Sequence, residues 1–158
     1  MRASVTAPRP VAAKKTTGTQ YAALPYRLTP EGVEILLITS RRTKRWVVPK
    51  GWPIEGLEPS VSAAREALEE AGISGETQKE PIGFFHYFKV LRHNIHVPCK
   101  VDVFALKVAR QRKTWPEKQE RELRWFPLAQ AAQAVEEVQL RKLIQKFGAR
   151  FAATAQQH

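Results

Sequence analysis

Apolar and polar positions along this chain recur with two different periods, and the switches between them mark out its elements. From Gln20 the run QYAALPYRL reads as a strand, a Pro-Glu-Gly turn occupies residues 30 to 32, and VEILLITS follows. Two apolar runs joined through such a turn predict an antiparallel pair. RRTKR is then a short basic loop, and WVVPKG a short strand halted by Pro49. A helix is predicted from Glu58 or Pro59 to near Ala71, since Pro suits a first helical position and Gly72 suits a left-handed stop. Its apolar stripe is Val61, Ala64, Leu68 and Ala71. After Ile73 a polar loop is expected. PIGFFHYFKVL and IHVPCKVDVFALKVA come next at hairpin spacing, rich in β-branched and aromatic residues, with RHN between them as the turn. A second loop, RQRKTWPEKQE, leads to ELRWFP, a short strand ended by Pro127. The end is helical: LAQAAQAVEEV, then LRKLIQKFGARF, where Leu140, Leu143, Ile144 and Phe147 recur at helical spacing.

Strands, helix, strands and helices in that order predict an α/β (α+β) layered domain with a mixed sheet between helices. No internal repeat is visible. Residues 1–18 are rich in Ala, Pro, Thr and basic residues without one acid, and are expected to form a disordered basic tail. Pro8 and Pro10 argue against reading that stretch as an amphipathic transit helix. The expected domain spans 19–150, and 151–158 is expected to be a C-terminal tail.

Length and composition change this picture little; charge changes it more. A chain of 158 residues with 43% hydrophobic residues suits one domain with a sizeable core. The single cysteine, Cys99, excludes an internal disulfide and points to no Cys-based zinc site. Following Pro98 in an apolar strand, it is expected to be buried and inert. No apolar run approaches membrane-spanning length, so a soluble, cytoplasmic protein with no membrane partner is expected. The net charge of +11 attracts anions: nucleotides, inositol phosphates or nucleic acid. Nucleic acid is the lesser expectation, because the chain has no Cys/His finger, no aromatic ribonucleoprotein signature and no evident basic recognition helix.

The candidate chemistry lies between Gly51 and Ile73, GWPIEGLEPSVSAAREALEEAGI. At about 100° per residue, Glu66, Glu69 and Glu70 share one helix face. Three neighbouring carboxylates repel one another mildly, and a divalent metal relieves that repulsion. A Glu-rich face alone is ordinarily just solvated. The frame around it is what counts: Gly51 fourteen residues before Arg65, a strand-like run before Gly51, Pro59 at the start and Gly72 at the end.

These residues closely resemble the Nudix box, Gly-x5-Glu-x7-Arg-Glu-(apolar)-x-Glu-Glu-x-Gly-(apolar). The likeness extends to WVVPKG before the box and WFPL before the last helices, so it covers roughly residues 20 to 148. One position departs from it: Leu57 stands where the box has its first Glu, with Glu58 one place later. The resemblance implies an α/β/α sandwich and a metal-assisted attack of water on a diphosphate. It implies Glu66 and Glu70 as metal ligands and Glu69 as general base or a further ligand. Arg65 then orients a carboxylate, and the Lys50 carbonyl offers the metal another oxygen. Some family members take their base from outside the box. Asp102, Glu117, Glu120 and Glu122 are the carboxylates available for that, and each is expected to be an ordinary surface group.

The segment SRRTKRWVVPKG further resembles the branch that hydrolyses diphosphoinositol polyphosphates and diadenosine polyphosphates. That likeness implies Arg41, Arg45 and Arg121 as phosphate contacts beside Lys50 and Gly51, Mg2+ or Mn2+ as cofactor, and a small polyphosphorylated substrate. Lys50 replaces a Gly common in animal members. The alternatives within the chemistry are an RNA 5′ end, ADP-ribose or a nucleoside triphosphate; outside it, a non-catalytic module binding a nucleotide or nucleic acid. His86, His93 and His96 lie across the expected hairpin rather than on one ligand face, and a phosphate contact from Arg92 or His93 is the better reading of that region.

Overall fold

The computed structural model describes residues 18–156, with side chains as far as Phe151. Residues 1–17, and with them nearly all of the expected tail, lie outside the described residues. Gly18 already belongs to the first strand, β1 (Gly18–Thr29), which turns back into β2 (Gly32–Thr39) as the antiparallel pair expected from the Pro-Glu-Gly turn. Two very short strands follow, β3 (Trp46–Val47) and β4 (Lys50–Gly51), and then helix α1 (Pro59–Ala71). β5 (Ile73–Thr77), β6 (Gly83–Val90) and β7 (His96–Gln111) continue the sheet. β8 (Leu123–Pro127) leads into α2 (Leu128–Ala134) and α3 (Val138–Gln156).

The sheet runs β3-β2-β1-β7-β5, with β4 also on β1, β8 on β2 and β6 on β7. β1 and β7 pair in parallel and every other pair is antiparallel, so the sheet is mixed, as expected. Each face carries its own core. On one, α1 packs Ala63, Ala67 and Ala71 against Ala23, Leu36, Ile38, Phe104 and Leu106. On the other, Leu140, Ile144 and Phe147 of α3, with Ala131 and Ala132 of α2, cover Ala22, Leu24, Leu37, Phe85, Val101 and Val103. No helix among the described residues is long and apolar enough to cross a membrane.

Three expectations are corrected. The polar stretch after Ile73 is a strand, held to β7 by its backbone, with an irregularity between Ser74 and Gly75. The buried face of α1 is not the Val61 stripe, since Val61 is 44% exposed and Ala64 and Leu68 are half-buried. Of that stripe Ala71 is fully buried, and Ser60, Ala63 and Ala67 join it there, because small side chains let a helix lie close to a sheet. The C-terminal boundary at 150 also moves: α3 runs on to Gln156, and Phe151 packs its ring against Tyr26 and Phe147 at centroid distances of 5.5 and 5.0 Å.

Candidate active site

The site forms where α1 crosses the two-residue strand β4. Gly51 pairs with Tyr21 of β1, and the Glu66 carboxylate lies against it so closely that a Cβ on Gly51 would stand 2.6 Å from both Glu66 oxygens. One residue earlier, the Lys50 amide donates to Glu70 Oε1 at 3.3 Å. A side chain at position 51 would therefore push the Glu66 carboxylate out of its place.

Glu70 is buried, and burial pushes its carboxyl up to about 8 even though Arg121 and Lys50 pull it down. Glu66 is also raised, by burial and by the neighbouring Glu69 charge, while a hydrogen bond donated by the Glu70 carboxyl opposes the rise. Two neighbouring carboxylates favour sharing a proton, and a cation between them would favour both charges instead. No group of three or more His, Cys, Asp or Glu among the described residues is arranged to hold a metal ion. A pair nevertheless fits Mg2+, which takes one or two carboxylates and fills its remaining positions with water and substrate phosphates. Glu69 lies half-buried on the same helix, and Arg65 is exposed and makes no ion pair among the described residues.

A loop returning from β7 completes the site. Trp115 lies over the end of α1, where Gly72 takes φ 68°; any side chain there would run into the indole. The Arg112 amide donates to Gly72 O at 2.8 Å, and the Glu117 amide to Glu69 O at 3.1 Å. Pinned this way, Glu117 accepts from Arg121 Nε at 2.8 Å, and Arg121 Nη2 lies 3.6 Å from Glu70 Oε2. Arg121 Nη1 also donates to Thr39 O at 3.1 Å. Arg121, expected to contact substrate, therefore serves as the buried counter-charge of the helix carboxylates. Glu117, expected on the surface, is the outside carboxylate that joins them. Among the other three, Glu120 pairs with Arg41 at 2.9 Å, Asp102 with Lys100 at 3.6 Å, and Glu122 meets Thr39 through its backbone amide.

Of the basic rim, Arg41 is exposed on the site's edge and feels the charges of Glu117 and Glu70. Arg45 is already occupied: Nη1 bridges Glu136 and Glu137, at 3.0 and 3.3 Å, in the link between α2 and α3. Lys50 sends its side chain to the opposite face from Glu66, with Nζ 4.8 Å from the Tyr87 ring centroid. Burial lowers its pKa, against the pull of Glu70 and Glu137. Beside it the Tyr87 hydroxyl donates to Gln20 Oε1 at 2.6 Å, and Cys99 is buried, its thiol pushed up by that burial. His86, His93 and His96 are exposed.

A NUDIX domain family model matches residues 19–147. The chain belongs to the Nudix family. Its relatives include Nudix hydrolase 21, chloroplastic, of Arabidopsis thaliana, 34% identical over 78% of this chain and 63% of that protein. Nudix hydrolase 12, mitochondrial, of the same plant is 29% identical over 73% of this chain and 58% of the relative. Mouse diphosphoinositol polyphosphate phosphohydrolase 3-alpha is 29% identical over 73% of this chain and 67% of the relative. The chain thus spans only about three fifths of the length of the two plant proteins. Among solved structures, a Caenorhabditis elegans Ap4A hydrolase binary complex matches at TM-score 0.63 and 22% identity, over 85% of this chain and 98% of that one. A MutT protein from Methanosarcina mazei Go1 matches at TM-score 0.64 and 20% identity, over 85% and 94%. These likenesses establish the Nudix fold: a mixed sheet with helices on both faces.

Proposed function

We propose that this Nudix chain is a Mg2+-dependent hydrolase, with Mn2+ as a substitute, that cleaves a phosphoanhydride bond by attack of water. The observation that carries the reading is the meeting of Glu66 and Glu70 at Gly51, with Arg121 as their buried counter-charge. Glu66, Glu70 and the Lys50 carbonyl would hold the cation. Bound there, it would neutralise diphosphate charge and make water a better nucleophile. Glu69 is assigned the water proton, with Glu117 as the competing base because the loop holds it against the same carboxylates. Arg65, exposed on α1, is assigned to steady a carboxylate or a phosphate once substrate is present.

The substrate we favour is a diadenosine polyphosphate or a diphosphoinositol polyphosphate. An excess of +11 suits a substrate with many phosphates, and Arg41 stands at the edge of the acidic pair with its guanidinium exposed. Arg45 would join it only by leaving Glu136 and Glu137. The printed activities of the mouse relative and of the nematode structure support the same class. A cytoplasmic setting is consistent with the unpaired Cys99.

The test is a substrate screen of diadenosine polyphosphates, inositol pyrophosphates, capped RNA, ADP-ribose and nucleoside triphosphates with Mg2+ or Mn2+, products being separated by ion exchange. Cleavage of one of the first two that stops with a chelator and with Glu70→Gln is expected. Cleavage of none of the five classes would overturn the reading.

A further inference from the structure

Phe84, His86 and Phe88 stand at alternate positions of β6 and therefore point to one face of the sheet. It is the face that α1 covers elsewhere, because Phe84 pairs with Asp102, Asp102 with Tyr21 and Tyr21 with Gly51. Among the described residues α1 packs chiefly on β1, β4, β5 and β7, to one side of β6. Phe84 is 49% and Phe88 65% exposed, with His86, Pro98 and Lys100 exposed around them. Large aromatic side chains left in water on one strand mark an interaction surface.

Its charge says what the surface meets. Residues 83–101 contain no Asp or Glu, while they carry Lys89, Arg92, Lys100 and three of the chain's four histidines. Lys100 holds Nζ 4.7 Å from the Phe84 ring centroid and also neutralises Asp102 at 3.6 Å. At the far end Arg42 Nη1 donates to Val90 O at 3.3 Å, which joins the basic loop to the hairpin. A second copy of this chain would bring another strongly positive molecule to a positive face. A polyanion that also presents ring faces satisfies both the charge and the aromatic side chains. Phe84 and His86 meet edge to face at 5.5 Å, and Phe88 stands about 13 Å along the strand from Phe84, so each phenylalanine offers its ring to a separate base.

We propose that this face binds single-stranded nucleic acid, RNA and DNA alike, with bases against Phe84 and Phe88 and phosphates against Lys100 and Arg92. The patch shares its face with the acidic pair, with Asp102 and Tyr21 standing between Phe84 and Gly51, and its contacts to a strand do not require the hydrolytic chemistry. Duplexes hide the base faces this platform needs, so they bind less well.

Fluorescence anisotropy of short labelled oligouridylate and oligothymidylate, against a duplex of equal length, tests this with the full chain across a salt series. The wild type is expected to prefer single strands. Phe84→Leu with Phe88→Leu, which keeps apolar bulk, should weaken binding roughly tenfold or more, whereas Phe84→Tyr with Phe88→Tyr, which keeps the rings, should retain it. Lys100→Ala should lower the salt slope by about one counterion. Cleavage of diadenosine tetraphosphate should be the same in all three variants, which separates this site from the hydrolase reading. Absence of single-strand binding, equal affinity for duplex with no effect of the leucine pair, or a wild-type dimer in sedimentation that the leucine pair dissolves would each overturn the proposal.

Discussion

Arg121 Nη2 lies 3.6 Å from Glu70 Oε2, and each of these side chains is only 10% exposed. The same guanidinium holds Glu117 and the Thr39 carbonyl, so three segments distant in sequence meet on one planar group. Removing it leaves Glu70 buried without its strongest counter-charge. Arg121→Met is therefore expected to reduce turnover at least roughly tenfold, as losses of groups that orient metal ligands do. It should also cost about 1–3 kcal/mol in urea unfolding. Arg121→Lys should recover charge but not the fork, and so only part of either. Unchanged turnover in Arg121→Met would refute this role.

Glu69 and Glu117 compete for the proton of the attacking water, and their positions allow a clean comparison. Glu69 belongs to the helix, whereas Glu117 is tied to it only through its own amide and through Arg121. Glu69→Gln is expected to lower kcat by about 10²–10³ and to flatten the acid limb of the pH–rate profile. Glu117→Gln should lower kcat by roughly tenfold and leave that limb in place. The reverse order would transfer the base to Glu117.

The buried Glu70 makes stability depend on pH in the opposite sense to a salt-bridged carboxylate. Its carboxyl is raised from an ordinary 4.5 to about 8 in the folded chain. The unfolded chain releases that proton first, so the stabilisation is complete at pH below the ordinary value and is lost as pH climbs towards about 8. A bound divalent cation takes the proton's place. Differential scanning fluorimetry with Mg2+ and with a chelator should show a larger metal-induced rise in Tm at about pH 9 than at about pH 6, where the pair still holds its proton. A metal effect independent of pH in this window would contradict the arrangement, and Glu70→Gln should abolish the dependence.

Gly51→Ala places a methyl group where the Glu66 carboxylate lies. The backbone there is extended within β4, so the chain still folds, and the carboxylate must move aside. Turnover is expected to fall by roughly tenfold or more with a Tm near wild type, since about an ångström of misplacement is sufficient for such a loss. Wild-type activity at saturating metal would show that Glu66 does not act from its present position.

The sequence made local structure legible wherever the signal was itself local. The proline at the start of α1 and the left-handed glycine at its end mark both of its limits, and the Pro-Glu-Gly turn marks the β1–β2 pair. β5 escaped because Ser74, Gly75 and Glu76 have no apolar alternation; their strand exists through backbone pairing to β7. On α1 the apolar periodicity takes in Ala71 but passes over Ser60, Ala63 and Ala67, which close packing against the sheet selects. In the site, the acidic helix and Gly51 were readable from spacing. Two partnerships were not: Arg45 with Glu136 and Glu137, some ninety residues on, and Arg121 with Glu70. Each depends on where the sheet brings distant segments together, and a row of basic residues in a sequence does not reveal which of them is already paired.

Lys50 and Gly51 face opposite sides of the sheet, the first towards Tyr87 and the second towards Glu66. A strand of two residues has no spare pairing to absorb an error. One residue inserted after Pro49 would exchange the two faces, setting a long cationic side chain into the acidic pair and the inserted residue beside Tyr87 in place of Lys50. This stretch should therefore tolerate substitutions at Lys50 far better than any change in its length, and a scan of single insertions and deletions should find its sharpest loss here.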